Sequence, residues 1–170
     1  MVTVMAAADT RDEVLARAYA AAAAVLDPEV PVLNLADLGV LRGVAWNEGR
    51  VVVRITPTYT GCPATFAIQL AVEAALRDVG LADARVDVVL APAWTTDDMT
   101  DSGRAKLLAY GIAPPARRAG RRALFGDDCV ACPKCGSAAT EKITEFGSTA
   151  CKALWRCTAC REPFDYFKCL

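Results

Sequence analysis

Four cysteines near the end of the chain have the spacing of a metal site. They form two Cys-x2-Cys pairs, Cys132 with Cys135 and Cys157 with Cys160, and 21 residues separate the pairs. Each pair turns tightly enough to present two thiolates to one tetrahedral ion, and the spacing is typical of a zinc ribbon. Four thiolates leave no open coordination position, so we expect this zinc to be structural and not catalytic.

A second cysteine motif overlaps the first pair. Cys129, Cys132 and Cys135 form a C-x2-C-x2-C run like the start of a bacterial ferredoxin motif, but Ala139 stands where that motif places its next cysteine. The sequence therefore favours zinc over an iron–sulfur cluster in this tail. Cys151 is open to interpretation as an occasional ligand, a thiol beside the ligands or a packing residue.

Cys62 stands at the tip of a predicted strand-to-helix turn. The β-branched run Val51–Ile55 predicts a strand, and residues 64–79 carry apolar side chains at helical spacing. Pro63 suits the first helical position, which puts Cys62 at or next to the N-cap. Unpaired N–H groups and the helix dipole favour a thiolate there. Because Gly61 and Pro63 indicate an exposed, preset loop, we interpret Cys62 as a functional thiol and not as a buried apolar residue.

Hydrophobic periodicity and turn residues predict the elements that position these cysteines. The predicted elements are a helix over 10–26, strands over 40–46 and 51–55, a helix over 64–79, a strand over 84–90 and a short helix from Thr100 that stops before Pro114. The first helix begins with a capping box of Thr10 and Glu13, and residues 47–50, which include Glu48 and Gly49, link the first two strands as a hairpin. The second helix is expected to turn Phe66 and Ile68 toward the core. The fold class is therefore α/β (α+β), with a small three-stranded sheet packed with helices and a C-terminal four-cysteine zinc ribbon.

Composition shifts divide the chain into four parts. We predict a disordered tail over 1–8, an α/β domain over 9–113, a linker over 114–128 and the zinc ribbon over 129–170. The linker contains prolines, glycines and two pairs of arginines, which is typical of a solvated connection. The ribbon is too short to bury a sufficient core alone, so zinc binding would supply much of its folding energy.

The overall composition excludes several functional classes. The 170 residues have a net charge of −1 and contain no histidine, which excludes His-based catalytic triads, Rieske centres and facial-triad iron sites. A nearly neutral chain has no general attraction to nucleic acid or acidic membranes. No apolar run is long enough to cross a bilayer, so we expect a cytoplasmic protein without membrane contact. In that compartment eight cysteines indicate metal or thiol chemistry and not disulfides, although Cys169 has no predicted role.

Three segments of the chain resemble the signatures of a known family. Asp27-Pro28-Glu29-Val30-Pro31, Asp37-Leu38-Gly39 and Thr60-Gly61-Cys62-Pro63 are similar to motifs of the metal–sulfur cluster biosynthesis domain family, which includes the iron–sulfur assembly factor SufT. Over nearly its whole length, the chain also resembles the accessory proteins of phenylacetate degradation. The segments that carry this extension are 132–137, 146–153, 157–160 and 162–168.

The resemblance implies a function and a set of site residues. It implies a non-catalytic accessory subunit of the phenylacetyl-CoA epoxidase, a multicomponent oxygenase, which helps to mature an iron–sulfur cluster or iron centre in the oxygenase or reductase component. By position, Cys62 matches the family's reactive cysteine and Asp37 the acid of its turn. The zinc ligands of the family's ribbon correspond to Cys132, Cys135, Cys157 and Cys160 of this chain, whereas Cys129 has no counterpart in the family.

The residues support a mechanism of the same kind. With Asp37 or Glu29 as a nearby carboxylate, Cys62 could hold iron or a cluster weakly if two protomers of a homodimer each contributed one cysteine. Weak binding would suit transfer to a client protein. The competing interpretations are a zinc-ribbon module that binds nucleic acid, a purely structural interaction subunit and a thiol enzyme, which the lack of histidine disfavours.

Overall fold

The computed structural model describes residues 10–115 and 130–168. The predicted tail, most of the predicted linker, Cys129 and Cys169 lie outside the described residues. The first part of the chain contains α1 (Arg11–Ala24), α2 (Leu35–Leu38), β1 (Leu41–Asn47), β2 (Arg50–Ile55), α3 (Ala64–Asp78), β3 (Arg85–Val88), a 3-10 turn (Thr96–Asp98), α4 (Asp101–Tyr110) and β4 (Ile112–Ala113). The second part contains β5 (Thr140–Thr144), β6 (Lys152–Cys157) and β7 (Pro163–Phe167).

The first sheet has the predicted three strands, in the order β1-β2-β3. β1 and β2 form an antiparallel hairpin whose turn residues, Glu48 and Gly49, both have positive φ (48° and 82°), as in a type I′ turn. β2 and β3 are parallel, with Val53 opposite Val86. Parallel neighbours need a crossover, which α3 provides, and the turn that leads into α3 carries Cys62. The predicted mixed α and β fold is confirmed.

Side chains cap the starts of two of the three predicted helices, α1 and α4. The Thr10 side chain accepts a hydrogen bond from the Glu13 N–H, and the Glu13 carboxylate accepts one from the Thr10 N–H, which completes the predicted capping box of α1. Thr100 caps α4 through the N–H of Gly103.

The prediction that Phe66 faces the core is wrong. α3 buries Ile68, Val72 and Leu76, whereas the Phe66 side chain is 68% exposed. Phe66 precedes Ile68 by two residues, which is about 200° around an α-helix, so the two side chains leave the helix on opposite sides.

A second sheet joins the two parts of the chain. Its order is β4-β7-β6-β5, so a strand that precedes the predicted linker completes the sheet of the ribbon. β4 is parallel to β7, with Ile112 opposite Asp165. Phe167 and Cys151 are buried in the same apolar cluster as α1, α3 and the first sheet, and the Phe167 ring lies edge-on to Trp94 with 6.3 Å between centroids. The ribbon is therefore packed on the α/β part, in the apolar cluster against which Cys62 also packs.

Among the helices of residues 10–115 and 130–168, none has the length and apolar character that crossing a bilayer requires.

Candidate metal and thiol sites

The four ribbon cysteines predicted as ligands come together in the structure. Their Sγ atoms all lie within 4.8 Å of one another, with 3.8 Å between Cys132 and Cys160 and 3.6 Å between Cys135 and Cys157. In a tetrahedral zinc site with Zn–S bonds of about 2.3 Å, neighbouring sulfurs are about 3.8 Å apart. The four thiols therefore fit a zinc ion of the structural kind, with the widest separations closing by up to about 1 Å.

Two tight turns produce this arrangement. The N–H of Gly136 donates to the carbonyl of Cys132 at 2.8 Å, and Gly136 has φ of 74°, a conformation that glycine adopts without strain. In the second turn the N–H of Cys160 points at Cys157 Sγ, 3.4 Å away. An exposed salt bridge of 2.6 Å between Lys134 and Glu162 links the two turns.

Cys62 lies immediately before Pro63, the N-cap of α3, in the predicted strand-to-helix turn. Its N–H donates to the carbonyl of Tyr59 at 3.1 Å, and its own carbonyl accepts from the N–H of Thr65 at 3.2 Å. The thiol is half-buried and lines a small, mainly apolar cavity between the first sheet and α3, to which Asp27 also contributes. The backbone of the turn is thus fixed, and the thiol faces a partly enclosed space.

The expected thiolate at Cys62 is not favoured in the free protein. Burial raises the pKa of the Cys62 thiol above its ordinary value, and the charges of Glu29 and Asp27 raise it further. The Ala64 N–H and the Thr65 side chain lower the pKa, in the direction that the helix terminus predicts, but they are outweighed. Cys62 therefore needs a cation or another partner to become a thiolate at neutral pH.

The acidic loop of residues 27–31 supplies these carboxylates. Asp27 is buried, and its Oδ1 accepts hydrogen bonds from the N–H groups of Glu29 at 2.9 Å and Val30 at 2.7 Å. Burial raises the pKa of Asp27 although these two bonds favour its charged form. The bonds fold the loop around Asp27 and leave the half-buried Glu29 side chain near Cys62.

A second thiol, from the ribbon, approaches the same loop. The Cys151 thiol donates to Glu29 Oε2 at 3.5 Å and lies 3.1 Å from the hydroxyl of Thr149. Burial raises the pKa of Cys151 to about 11, and Glu29 and Asp27 add to this effect. No spacing rule could find this residue, because its position depends on how the ribbon packs on the α/β part.

The contacts of Asp37 in the structure are with α4 and the start of α2. Its buried carboxylate forms a salt bridge with Lys106, accepts from the N–H of Asn34 at 3.4 Å and lies 3.4 Å from the Thr100 hydroxyl. Burial alone would raise the pKa of Asp37, but Lys106 and the hydrogen bonds lower it overall. Asp37 thus joins α2 to α4. The carboxylates that act on Cys62 come from Glu29 and Asp27.

Each of the two parts of the chain matches the sequence profile of a known family. The sequence profile of the "PaaD zinc beta ribbon domain" matches residues 116–168, and that of "Iron-sulfur cluster assembly protein" matches residues 15–88. A protein of Escherichia coli (strain K12), named as one of the subunits of a "Putative 1,2-phenylacetyl-CoA epoxidase", is 50% identical over 144 residues, which cover 85% of this chain and 86% of that protein. The chain belongs to the PaaD family.

A solved structure supports the fold of this PaaD family member. The crystal structure of a domain of unknown function, DUF59, from Bacillus anthracis is 28% identical and has a TM-score of 0.52, covering 56% of this chain and 92% of that domain. The iron–sulfur assembly profile covers α2, the first sheet, α3 and the loop that contains Asp27 and Glu29. Cys62 therefore lies in the part related to iron–sulfur assembly, and the four-cysteine cluster lies in the zinc-ribbon part.

Proposed function

We propose that this protein is a non-catalytic accessory subunit of the phenylacetyl-CoA epoxidase system that assists assembly of an iron–sulfur cluster or iron centre through Cys62. The observation that carries the proposal is the position of Cys62, half-buried beside Glu29 and Asp27 within the region that matches the iron–sulfur assembly profile. The name of the Escherichia coli relative supports the epoxidase as the system that is served.

The chemistry of the site supports handling of iron and not turnover of an organic substrate. A thiol beside two carboxylates can bind iron, and its raised pKa makes it a poor free nucleophile at neutral pH. The sequence has no histidine to act as a general base for Cys62. In this proposal the iron or cluster is cargo, and the client is the oxygenase or reductase component.

The ribbon has a structural role in the proposal. Its four cysteines hold zinc, which orders β5, β6 and β7 and so holds the ribbon against the α/β part. The zinc has no open position and takes no part in iron transfer.

A genetic complementation experiment tests the proposal. Cells that carry the other epoxidase genes but lack this one receive the wild-type gene, Cys62→Ser or the control Thr60→Ser, whose exposed side chain lies in the same loop. We expect epoxidase activity, and the iron content of the purified oxygenase and reductase, to depend on Cys62 and not on Thr60. Full activity and iron content with Cys62→Ser would leave a purely structural subunit as the better account.

A second measurement separates an accessory role from a catalytic one. Epoxidase components matured in the presence of the wild-type protein are purified without it and assayed for turnover. The proposal predicts that turnover is retained, because this protein acts before catalysis. Turnover that appears only when this protein is added back, in proportion to the amount added, would contradict a non-catalytic role.

A further inference from the structure

The solvent side of α3 is apolar where the helix begins, next to Cys62. The helix buries Ile68 and Val72 against the core. The exposed residues of its first two turns are all apolar, and they are Phe66, Ala67, Leu70 and Ala71. A surface helix normally places polar or charged side chains on this side, because it faces water. The exposed stripe of α3 therefore does more than a helix needs in order to cover a core.

The neighbouring helix α1 has the same property. α1 and α3 are in contact, and both contribute to the apolar cluster on one face of the first sheet. From residue 16 onward the exposed residues of α1 carry no charge, and they are Ala16, Tyr19, Ala20 and Ala24. Asp27, shortly after α1, lines the same cavity as Cys62, so the end of α1 lies beside the start of α3. The two exposed stripes therefore lie side by side next to the Cys62 turn.

Charged side chains on this side of the two helices are found at the end away from Cys62. Within α1 and α3, the exposed charged residues are Arg11, Asp12, Glu13, Arg77 and Asp78. The first three begin α1 and the last two end α3, which is the far end of an antiparallel pair. We define the apolar face as Tyr19, Leu26, Phe66 and Leu70 with the exposed alanines between them. An uncharged surface of this kind suits an apolar protein surface and not an ion or a polar ligand.

The size of the apolar face indicates a partner that binds transiently. Its four large side chains are between 47% and 68% exposed. They leave on the order of 400 Å² of apolar surface in water, which is comparable to the largest patch on a typical monomer. A stable dimer of this chain would need about 800 Å² from each copy. The apolar face is too small for such a dimer and large enough for a partner that binds, receives its cargo and leaves.

We propose that the apolar face is the docking surface for the epoxidase component that receives iron, and that this component presents an apolar surface around its own iron-binding residues. The inference rests on the proposed function. The Cys62 carbonyl accepts a hydrogen bond from the N–H of Thr65, which holds Cys62 against the first turn of α3, where Phe66 begins the exposed stripe. A protein that reaches Cys62 from this side must therefore cover the apolar face.

Direct transfer of iron requires this contact. The acceptor's bond to iron forms as the bond between Cys62 Sγ and iron breaks, the Cys62 thiolate takes up a proton from the solvent, and no electron is transferred. Both ligands must therefore reach the same ion during the exchange. The receiving component must come within bonding reach of an ion held at Cys62, and the apolar face is the surface that it meets there.

A binding titration with the separated epoxidase components tests the docking surface. The zinc-loaded full chain is titrated by calorimetry against the metal-free oxygenase component and, separately, against the metal-free reductase component. Leu70→Ser and the control Leu108→Ser, on α4, form a matched pair, because the two leucines are 47% and 49% exposed. We expect the wild type to bind one component, Phe66→Asp to weaken that binding at least about tenfold and Leu70→Ser at least about fivefold. Leu108→Ser should change it less than about twofold.

The outcomes separate docking from iron transfer. Wild-type affinity in Phe66→Asp and Leu70→Ser, an equal loss in Leu108→Ser, or no binding of the wild type to either component would overturn the inference and leave the role of Cys62 to the complementation experiment. Weakened binding in these two variants, together with full maturation by Cys62→Ser, would support the docking surface and overturn iron transfer.

Two controls concern the fold and the occupant. Tyr19→Ser changes the other helix and should weaken the same binding, so the result does not depend on the folding of α3 alone; wild-type affinity in that variant would overturn the shared face. Sedimentation of the wild-type chain alone tests for a second copy. A dimer that Phe66→Asp converts to a monomer would show that a second copy occupies the apolar face, and the inference would be wrong.

Discussion

Docking of the ribbon should make a large contribution to the stability of the whole chain, and Phe167 is the residue that tests it. Phe167 belongs to the ribbon, but its side chain is 2% exposed and lies in the apolar cluster of the α/β part, edge-on to Trp94. Phe→Ala at a buried site costs about 3–5 kcal/mol, from lost burial and the cavity that remains. The aromatic pair accounts for about 0.5–1.5 kcal/mol of this. We therefore expect Phe167→Ala to lower the free energy of unfolding by about 3–5 kcal/mol.

The matched control is Phe146→Ala, in the same ribbon. Phe146 is 62% exposed, and Nζ of Lys168 lies 4.0 Å from the centroid of its ring. Removal of the Phe146 ring should therefore cost about 0.5–1 kcal/mol of stability. The assay is urea unfolding of the zinc-loaded protein, followed by circular dichroism and by tryptophan fluorescence. A loss below about 1 kcal/mol for Phe167→Ala, or equal losses in the two variants, would refute the packing of the ribbon on the α/β part.

Three further predictions concern the α/β part. Gly103→Ala should destabilise the fold, because an added Cβ would lie 2.7 Å from the backbone oxygen of Asp37, and a wild-type melting temperature would contradict this contact. Asp37 has a lowered pKa in the folded protein, so its stabilisation is present above the unfolded-state pKa and is lost as pH falls through the folded one. Asp37→Asn should therefore lower stability at pH 7 with a deficit that shrinks in acid, and a deficit independent of pH would refute the role of the charge. Cys62 should be alkylated more slowly at pH 7 than a free thiol, with a rate that rises about tenfold per pH unit and does not level off at the ordinary thiol pKa; an early plateau would contradict the raised pKa.

Local signals in the sequence predicted much of this structure correctly. Thr10 with Glu13 predicted the start of α1, and the turn at Glu48 and Gly49 predicted the hairpin, because both depend on residues that are close in the chain. The ribbon cysteines could be predicted because two tight Cys-x2-Cys turns need little else to present their thiols. Periodicity gave the correct helix for α3 but the wrong orientation for Phe66.

The features that the sequence did not predict depend on contacts between distant residues. Pairing of β4 with β7 could not be inferred, because a strand of two residues has no periodicity to detect. The approach of Cys151 to Glu29 follows from that pairing and from the packing of Phe167. The direction of the Cys62 pKa shift could not be predicted from the sequence either. Burial and the charges of Glu29 and Asp27 raise this pKa by more than the start of α3 lowers it.

The domain boundaries and the site roles remain predictions. The described part of the chain places β4 in the sheet of the ribbon, so the predicted boundary at residue 113 separates two strands that are hydrogen-bonded to each other. The two predicted units therefore share a sheet as well as an apolar cluster.

The metal content of the protein after anaerobic reconstitution tests the central claim most directly. Wild type and Cys62→Ser are incubated with Fe²⁺ and sulfide, freed of unbound ions and analysed for zinc, iron and acid-labile sulfide. The account predicts about one zinc per chain in both proteins and iron, with or without sulfide, in the wild type alone. Equal iron in the two proteins, or zinc alone in both, would contradict a role of Cys62 in carrying iron.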